Sequence, residues 1–320
     1  MTWFDAEIDS SIMAVRAIHF AATAVTGGAL VFRTAVADPA LGGETNARAD
    51  IDSQTRKLAW IGLVIAMVSG LGWVVLLTMS LSDEGFGEAI MSGALSDVLT
   101  LTQFGTVAQI RLGLAIALGV CLALDRTAVG RRVALGAALC LIASIAWTGH
   151  AASTPHTLGY VHLAADALHL YAASVWIGGL LPLAFLLRRG QRYHASAWAA
   201  QELDAVTRFS SLGVVSVAAL IASGIVNAWI LVGSFRGLIL TSYGWILMIK
   251  LAIFAVMLGF AAMNRSRLTP ALASPPRSEV HDAAHRLITR NTLIEIALGL
   301  LIFVIVGALG TLHPAAHLVQ

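Results

Sequence analysis

Charge is scarce in this chain. Of its 320 residues only 12% are Asp, Glu, Lys or Arg, where soluble globular domains carry about 25%. Cysteine is nearly absent: Cys121 and Cys140 both lie in apolar runs, which excludes a disulfide framework and reads as packing. No phosphate loop, serine triad, CxxC pair or nucleotide fingerprint occurs, so no signature of an enzyme or of a nucleic-acid partner is present. The start, MTWFDAEIDSS, is acidic and lacks the basic segment and small-residue cleavage site of a signal peptide. The first apolar segment is therefore expected to be retained.

Apolar sequence fills the space that charge leaves. Hydrophobic residues make up 58% of the chain, and mean hydropathy is +0.82. Eight runs are long enough to span a bilayer, at about 11–33, 57–80, 106–125, 131–150, 160–187, 207–232, 243–264 and 290–312. They do not alternate, which excludes a β-barrel and leaves helices. The expected fold is an all-α polytopic membrane protein of one domain over residues 1–320, embedded in membrane lipid.

The basic residues are one-sided. Sixteen of the 20 Lys and Arg residues fall in alternate connections, from Arg33, Arg48, Arg56 and Lys57 to Arg126, Arg131 and Arg132, then Arg188, Arg189, Arg192 and Arg208, then Arg265 to Arg290. The opposite side has Arg236, and Arg16, Arg111 and Lys250 sit within spans. The positive-inside rule then places both termini outside.

The two halves resemble each other. AIHFAATAVTGGAL aligns with ALHLYAASVWIGGL, setting His19 on His169 and Gly28 on Gly178. Further along, Ser69-Gly70 aligns with Ser223-Gly224, Ile110-Arg111-Leu112 with Ile249-Lys250-Leu251, Asp125-Arg126 with Asn264-Arg265, and Thr148-Gly149-His150 with Thr311-Leu312-His313. Matches in all four helix pairs, in order, argue for a four-plus-four duplication, with half-repeats at about 11–150 and 160–313. An even number of helices per half makes the repeat parallel, with a site expected between the halves.

Seven of the ten histidines map to the outer side: His19, His150, His156, His162, His169, His313 and His317. His194, His281 and His285 map inside. The fifth span carries His162, Asp166 and His169 within about 40° of one another on one helical face, His169 about 10 Å deeper than His162. Ionisable groups are costly in a bilayer, so such a stripe points to function. Two imidazoles and a carboxylate are a metal-ligand set. Arg111 and Lys250, a turn or two below the outer surface, can neutralise Asp166, snorkel to head groups, or attract an anion. Glu295, near the inner end of the last span, suits an exit path, a proton relay or an interhelical hydrogen bond. The outer stretch from Ser82 to Gly105 carries Asp83, Glu84, Glu88 and Asp97 and reads as a partly amphipathic cap.

The segments TGHA at Thr148, HLAADALHLYAASVWIGGLLPL at His162, RFSSLGVVSV at Arg208, SGIVNAWILVG at Ser223, YGWILMIKLAIFAVML at Tyr243 and LGTLHPA at Leu309 resemble the signature of the copper-resistance D (CopD) membrane proteins. The likeness runs from about Ser11 to Ala316. It implies a bacterial inner-membrane protein that moves copper ions from the periplasm, working beside a separate periplasmic CopC-like protein. By position it points to His19, His150, His162, Asp166 and His169 as ligands, with Lys250 also in the pattern; His156, His313 and Arg111, on the outer side, are secondary candidates. No catalytic residue is expected. The alternative is a haem b redox protein with His19 and His169 as axial ligands and Arg111 and Lys250 on the propionates. A third reading is a sensory or structural partner of a periplasmic copper protein.

Overall fold

A computed structural model describes residues 10–42, 45–124, 127–190 and 196–317, without the side chains of 45–47, 190, 196–197 and 317. The acidic N-terminal residues 1–9, Asp125, Arg126, Arg192, His194 and the His317 side chain, all assigned a place by sequence, lie outside the described residues. Among the described residues, eight helices are long and apolar enough to cross a membrane: α1 (Ser10–Ala40), α2 (Arg48–Ser82), α3 (Gln103–Ala123), α4 (Ala128–Thr148), α5 (His156–Arg189), α6 (Trp198–Val232), α7 (Ser242–Leu272) and α8 (Glu279–Leu309). No strand occurs among the described residues. In hydrocarbon a backbone must satisfy its own hydrogen bonds, and the helix does so within one segment.

Each apolar run has become a helix, but several helices are longer than their runs. α2 begins at Arg48, α6 at Trp198 and α8 at Glu279, and α7 continues to Leu272. Hydropathy marks only the lipid-facing stretch. The polar extensions stay helical because they pair with one another at the basic end of the bundle. Arg33 Nε meets Asp52 at 2.5 Å, Arg48 meets Asp38 at 3.0 Å, Arg189 pairs with Asp50, and His285 meets Glu202 at 2.8 Å. At the other end, Thr102 and Thr241 cap α3 and α7 in the same way, accepting from Gly105 N at 2.9 Å and Gly244 N at 3.0 Å.

α1 and α5 form the centre. Two thirds of the most apolar stretch of each is buried, against 6% for α7. α1 packs on α2 and α4 of its own half and on α5 and α8 of the other, and α5 packs on α6 and α8 of its half and on α1 and α4. The two central helices cross backbone to backbone at Gly28 and Gly178. A Cβ on Gly28 would strike Ser174 O and stand 2.7 Å from Gly178 Cα, while one on Gly178 would strike Ala24 O and stand 3.2 Å from Gly28 Cα. Helix association in lipid depends on such close packing rather than on hydrophobic gain. A π-helical turn at Ser174–Gly178 widens α5 at this crossing, and others lie at Arg33–Ala37 in α1 and Asn264–Leu268 in α7.

The crossing yields a test. Gly178→Val is expected to destabilise the bundle by about 1–3 kcal/mol, the usual cost of overpacking. Gly113→Val in α3, where a Cβ would meet nothing within 4 Å, should cost much less. Unfolding of the two variants in detergent, side by side, measures the difference.

Candidate functional site

Each central helix presents a histidine to its own half. His19 of α1 faces α2 and α3. Its Nδ1 lies 2.9 Å from Ala66 O and 3.1 Å from Ser69 Oγ, and its Nε2 lies 2.6 Å from Arg111 Nη2. A carbonyl only accepts, so Nδ1 carries the proton and Nε2 accepts from the guanidinium. Arg111 is anchored in turn, donating from Nη1 to Leu141 O at 3.0 Å and to Ser144 Oγ at 2.7 Å. Both His19 and Arg111 are buried, at 4% and 6% exposure. The edge of Trp73 stands against the His19 ring, and the Arg16 guanidinium lies 4.8 Å from the indole centroid.

His169 of α5 holds the corresponding position against α6 and α7. Its Nδ1 lies 3.0 Å from Ser223 Oγ, whose own hydroxyl donates to Ala219 O at 2.6 Å. The serine therefore accepts, Nδ1 carries the proton, and Nε2 keeps its lone pair. Gly224 leaves room for the ring as Gly70 does for His19: an added Cβ would stand 3.6 and 3.2 Å from the respective Cε1 atoms. Lys250, which aligns with Arg111 in sequence, acts electrostatically on both His169 and Asp166. Among the described residues nothing hydrogen-bonds His169 Nε2, whereas the equivalent atom of His19 is taken.

Above His169 a polar column rises to the surface. Asp166 Oδ1 accepts from Asn227 Nδ2 at 3.3 Å. His162, only 1% exposed, has its Nδ1 2.7 Å from Thr154 Oγ1, and that hydroxyl also lies 3.3 Å from His150 O. The His150 ring packs edge-on to Tyr243 at 6.4 Å. His150, at the end of the first half-repeat, and His162, Asp166 and His169 of α5 thus follow one another down one column.

Other sequence expectations turn out differently. His19 and His169 do not meet between the halves, because the glycine crossing closes that space and turns each ring toward its own second helix. Arg111 belongs with His19, not with Asp166. His156 is exposed at the start of α5, with φ of 60°, and His313 is exposed beyond α8; neither joins the column. Among the described residues no three His, Cys, Asp or Glu side chains come together closely enough to hold one ion. His162, Asp166 and His169 form a ladder of separate positions. Cys121 and Cys140 are both free. Deeper in the second half, buried Glu295 accepts from Asn264 Nδ2 at 2.9 Å, and Asn264 Oδ1 accepts from Asn291 Nδ2 at 2.8 Å.

With this geometry in view, two family profiles divide the chain between them. One, the copper resistance protein D-like N-terminal domain, matches residues 7–160, and the other, copper resistance protein D, matches residues 203–309. The chain belongs to the copper resistance protein D family. It is 32% identical to copper resistance protein D of Pseudomonas syringae pv. tomato over 171 residues, 52% of this chain and 54% of that protein. It is 31% identical to the inner membrane protein YebZ of Escherichia coli strain K12 over 168 residues, again 52% and 54%. Copper transport protein CutJ of Bacillus subtilis strain 168 matches at 26% over 215 residues, 63% of this chain and 38% of that one. The matches thus span about half, or less, of these relatives' length. No solved structure matches the chain. The haem b reading draws no support from these relatives.

Ser69, Ser223, Thr154 and Tyr243 carry no site role in the sequence reading. The signal was present in the Ser-Gly pair recurring in the second helix of each half, where serine orients the ring and glycine makes room for it. Removing the serine should therefore act unequally. Ser223→Ala is expected to cost about 1 kcal/mol of stability, a typical net value for one hydrogen bond. Ser69→Ala should cost less, since Ala66 O and Arg111 both still hold His19, whereas His169 keeps only the Leu220 backbone. Paired unfolding measurements in detergent check the order.

Proposed function

We propose that the protein handles copper in a bacterial inner membrane, taking the ion from the periplasmic side into the bilayer through the second half. On this reading both termini are periplasmic and the basic ends of the helices are cytoplasmic. The chain is a parallel duplication of a four-helix unit. The ion is cargo, delivered by a separate periplasmic copper protein of the CopC kind, and no covalent chemistry is performed on it. Two relatives, copper resistance protein D and copper transport protein CutJ, support the cargo. The single structural observation that carries the route is His169, held by Ser223 with its Nε2 lone pair open beneath Asp166.

The route runs by exchange along the ladder. His150 and His162 offer imidazoles at the mouth, Asp166 supplies negative charge one turn below, and His169 supplies the next nitrogen. Thr154, Asn227 and Ser223 orient these groups, as outer hydrogen-bond partners orient metal ligands generally. Separated positions suit passage better than one closed cage, because an ion that is to move on must not be bound too tightly at any step. Lys250 offsets the Asp166 charge while the ion is absent and opposes deep trapping when it arrives. Glu295 with Asn264 offers the next polar station toward the cytoplasm.

Elemental analysis and an absorption spectrum of detergent-purified protein test this reading. Wild type loaded with copper and desalted is expected to retain the metal without a Soret band. His169→Ala and Asp166→Asn should each weaken retention at least about tenfold, the scale seen even for outer-shell changes at metal sites. Unchanged copper in both variants would sink the ladder, and a Soret band lost with His169→Ala would put a haem there instead.

A further inference from the structure

The first half keeps the frame of the second but not its chemistry. A cavity of about 260 Å³ opens beside His19 and Arg111. Apart from those two residues, Gln109 and Thr148, its lining is apolar, including Leu71, Trp73, Leu95, Leu99 and Phe104. Leu95 and Leu99 come from the short outer helix Ala94–Leu101, which roofs the space. Leu71, 54% exposed, stands at its rim on the lipid-facing surface of α2.

Arg111 is the polar end of this space. A guanidinium has five N–H donors. Three are used here, on Leu141 O, Ser144 Oγ and His19 Nε2, so two remain. Among the described residues no carboxylate pairs with Arg111, nor with Arg16 on the far side of Trp73. Asp166 acts on Lys250 in the second half, whereas among the described residues no carboxylate is paired with the two buried or half-buried cations of the first half. Two spare N–H groups on one guanidinium fit the paired oxygens of a carboxylate or phosphate, and the apolar space beside them fits an alkyl chain.

We propose that this cavity binds an acidic amphiphile, its anionic head on Arg111 and its chain between α2, α3 and the roof helix. The ligand completes the charge balance of the first half and ties the roof to the bundle. It enters from the bilayer past Leu71. This site stands apart from the copper route.

The test uses delipidated full-length protein in a neutral detergent, with binding read by native mass spectrometry and by the shift in unfolding temperature. The probes are dodecanoate and phosphatidylglycerol, against dodecanol and phosphatidylcholine as neutral counterparts. An acidic probe should bind at least tenfold better than its neutral counterpart. Preference for dodecanoate identifies a free fatty acid, and preference for phosphatidylglycerol a bilayer lipid. Arg111→Gln should remove the preference, and Leu99→Trp, which fills the cavity and leaves Arg111 in place, should abolish binding. If Arg111→Gln does not fold, Leu99→Trp decides. Equal binding of acidic and neutral probes, or binding undiminished in Leu99→Trp, overturns the proposal.

Discussion

The contact of Gly28 with Gly178 governs the arrangement of everything else. Two helices that meet backbone to backbone leave no room for a side chain, still less a ligand, between them. The polar residues one to three turns above the crossing must then point away from it. His19 therefore turns to Ser69 and Arg111, and His169 to Ser223 and Asn227's neighbourhood on α6. One close approach thus creates two separate polar sites instead of one shared site, each centred on the histidine of one central helix.

Matching frames carry opposite electrostatics. In both halves a serine holds the imidazole Nδ1, a glycine clears space for the ring, and a threonine caps the third helix. The difference lies in the cation and its company. The planar guanidinium of Arg111 reaches His19 Nε2 and closes it, with two further acceptors fixing it in place. Lys250 is a compact point charge without that reach, and Asp166 stands close enough to engage its field. One half is consequently locked and cationic beside an apolar cavity. The other offers an open nitrogen beneath a carboxylate. The proposed copper route accordingly rests on His162, Asp166 and His169 and leaves His19 out of the path.

Much of this was legible in the residues. Eight apolar runs became eight helices because a bilayer admits no other element for such runs. The helical period alone placed His162, Asp166 and His169 on one face, and the alignment of Ser69 with Ser223 foreshadowed their equivalent hydrogen bonds. Helix ends were less legible. Polar extensions such as the start of α2 at Arg48 are held by ion pairs with residues far along the chain, such as Arg189 with Asp50, and hydropathy carries no trace of those partners.

What the sequence determined by itself is what local physics fixes: membrane residence, helix number, the stripe on α5 and the one-sided basic residues. Tertiary structure alone decided which nitrogens of the two histidines are engaged, since that depends on partners 47 to 92 residues away in the chain. It also decided that the space between the halves is closed and the space beneath the roof helix is open. Both follow from how closely particular backbones approach, and close approach is a property of packed pairs that a single helix cannot express.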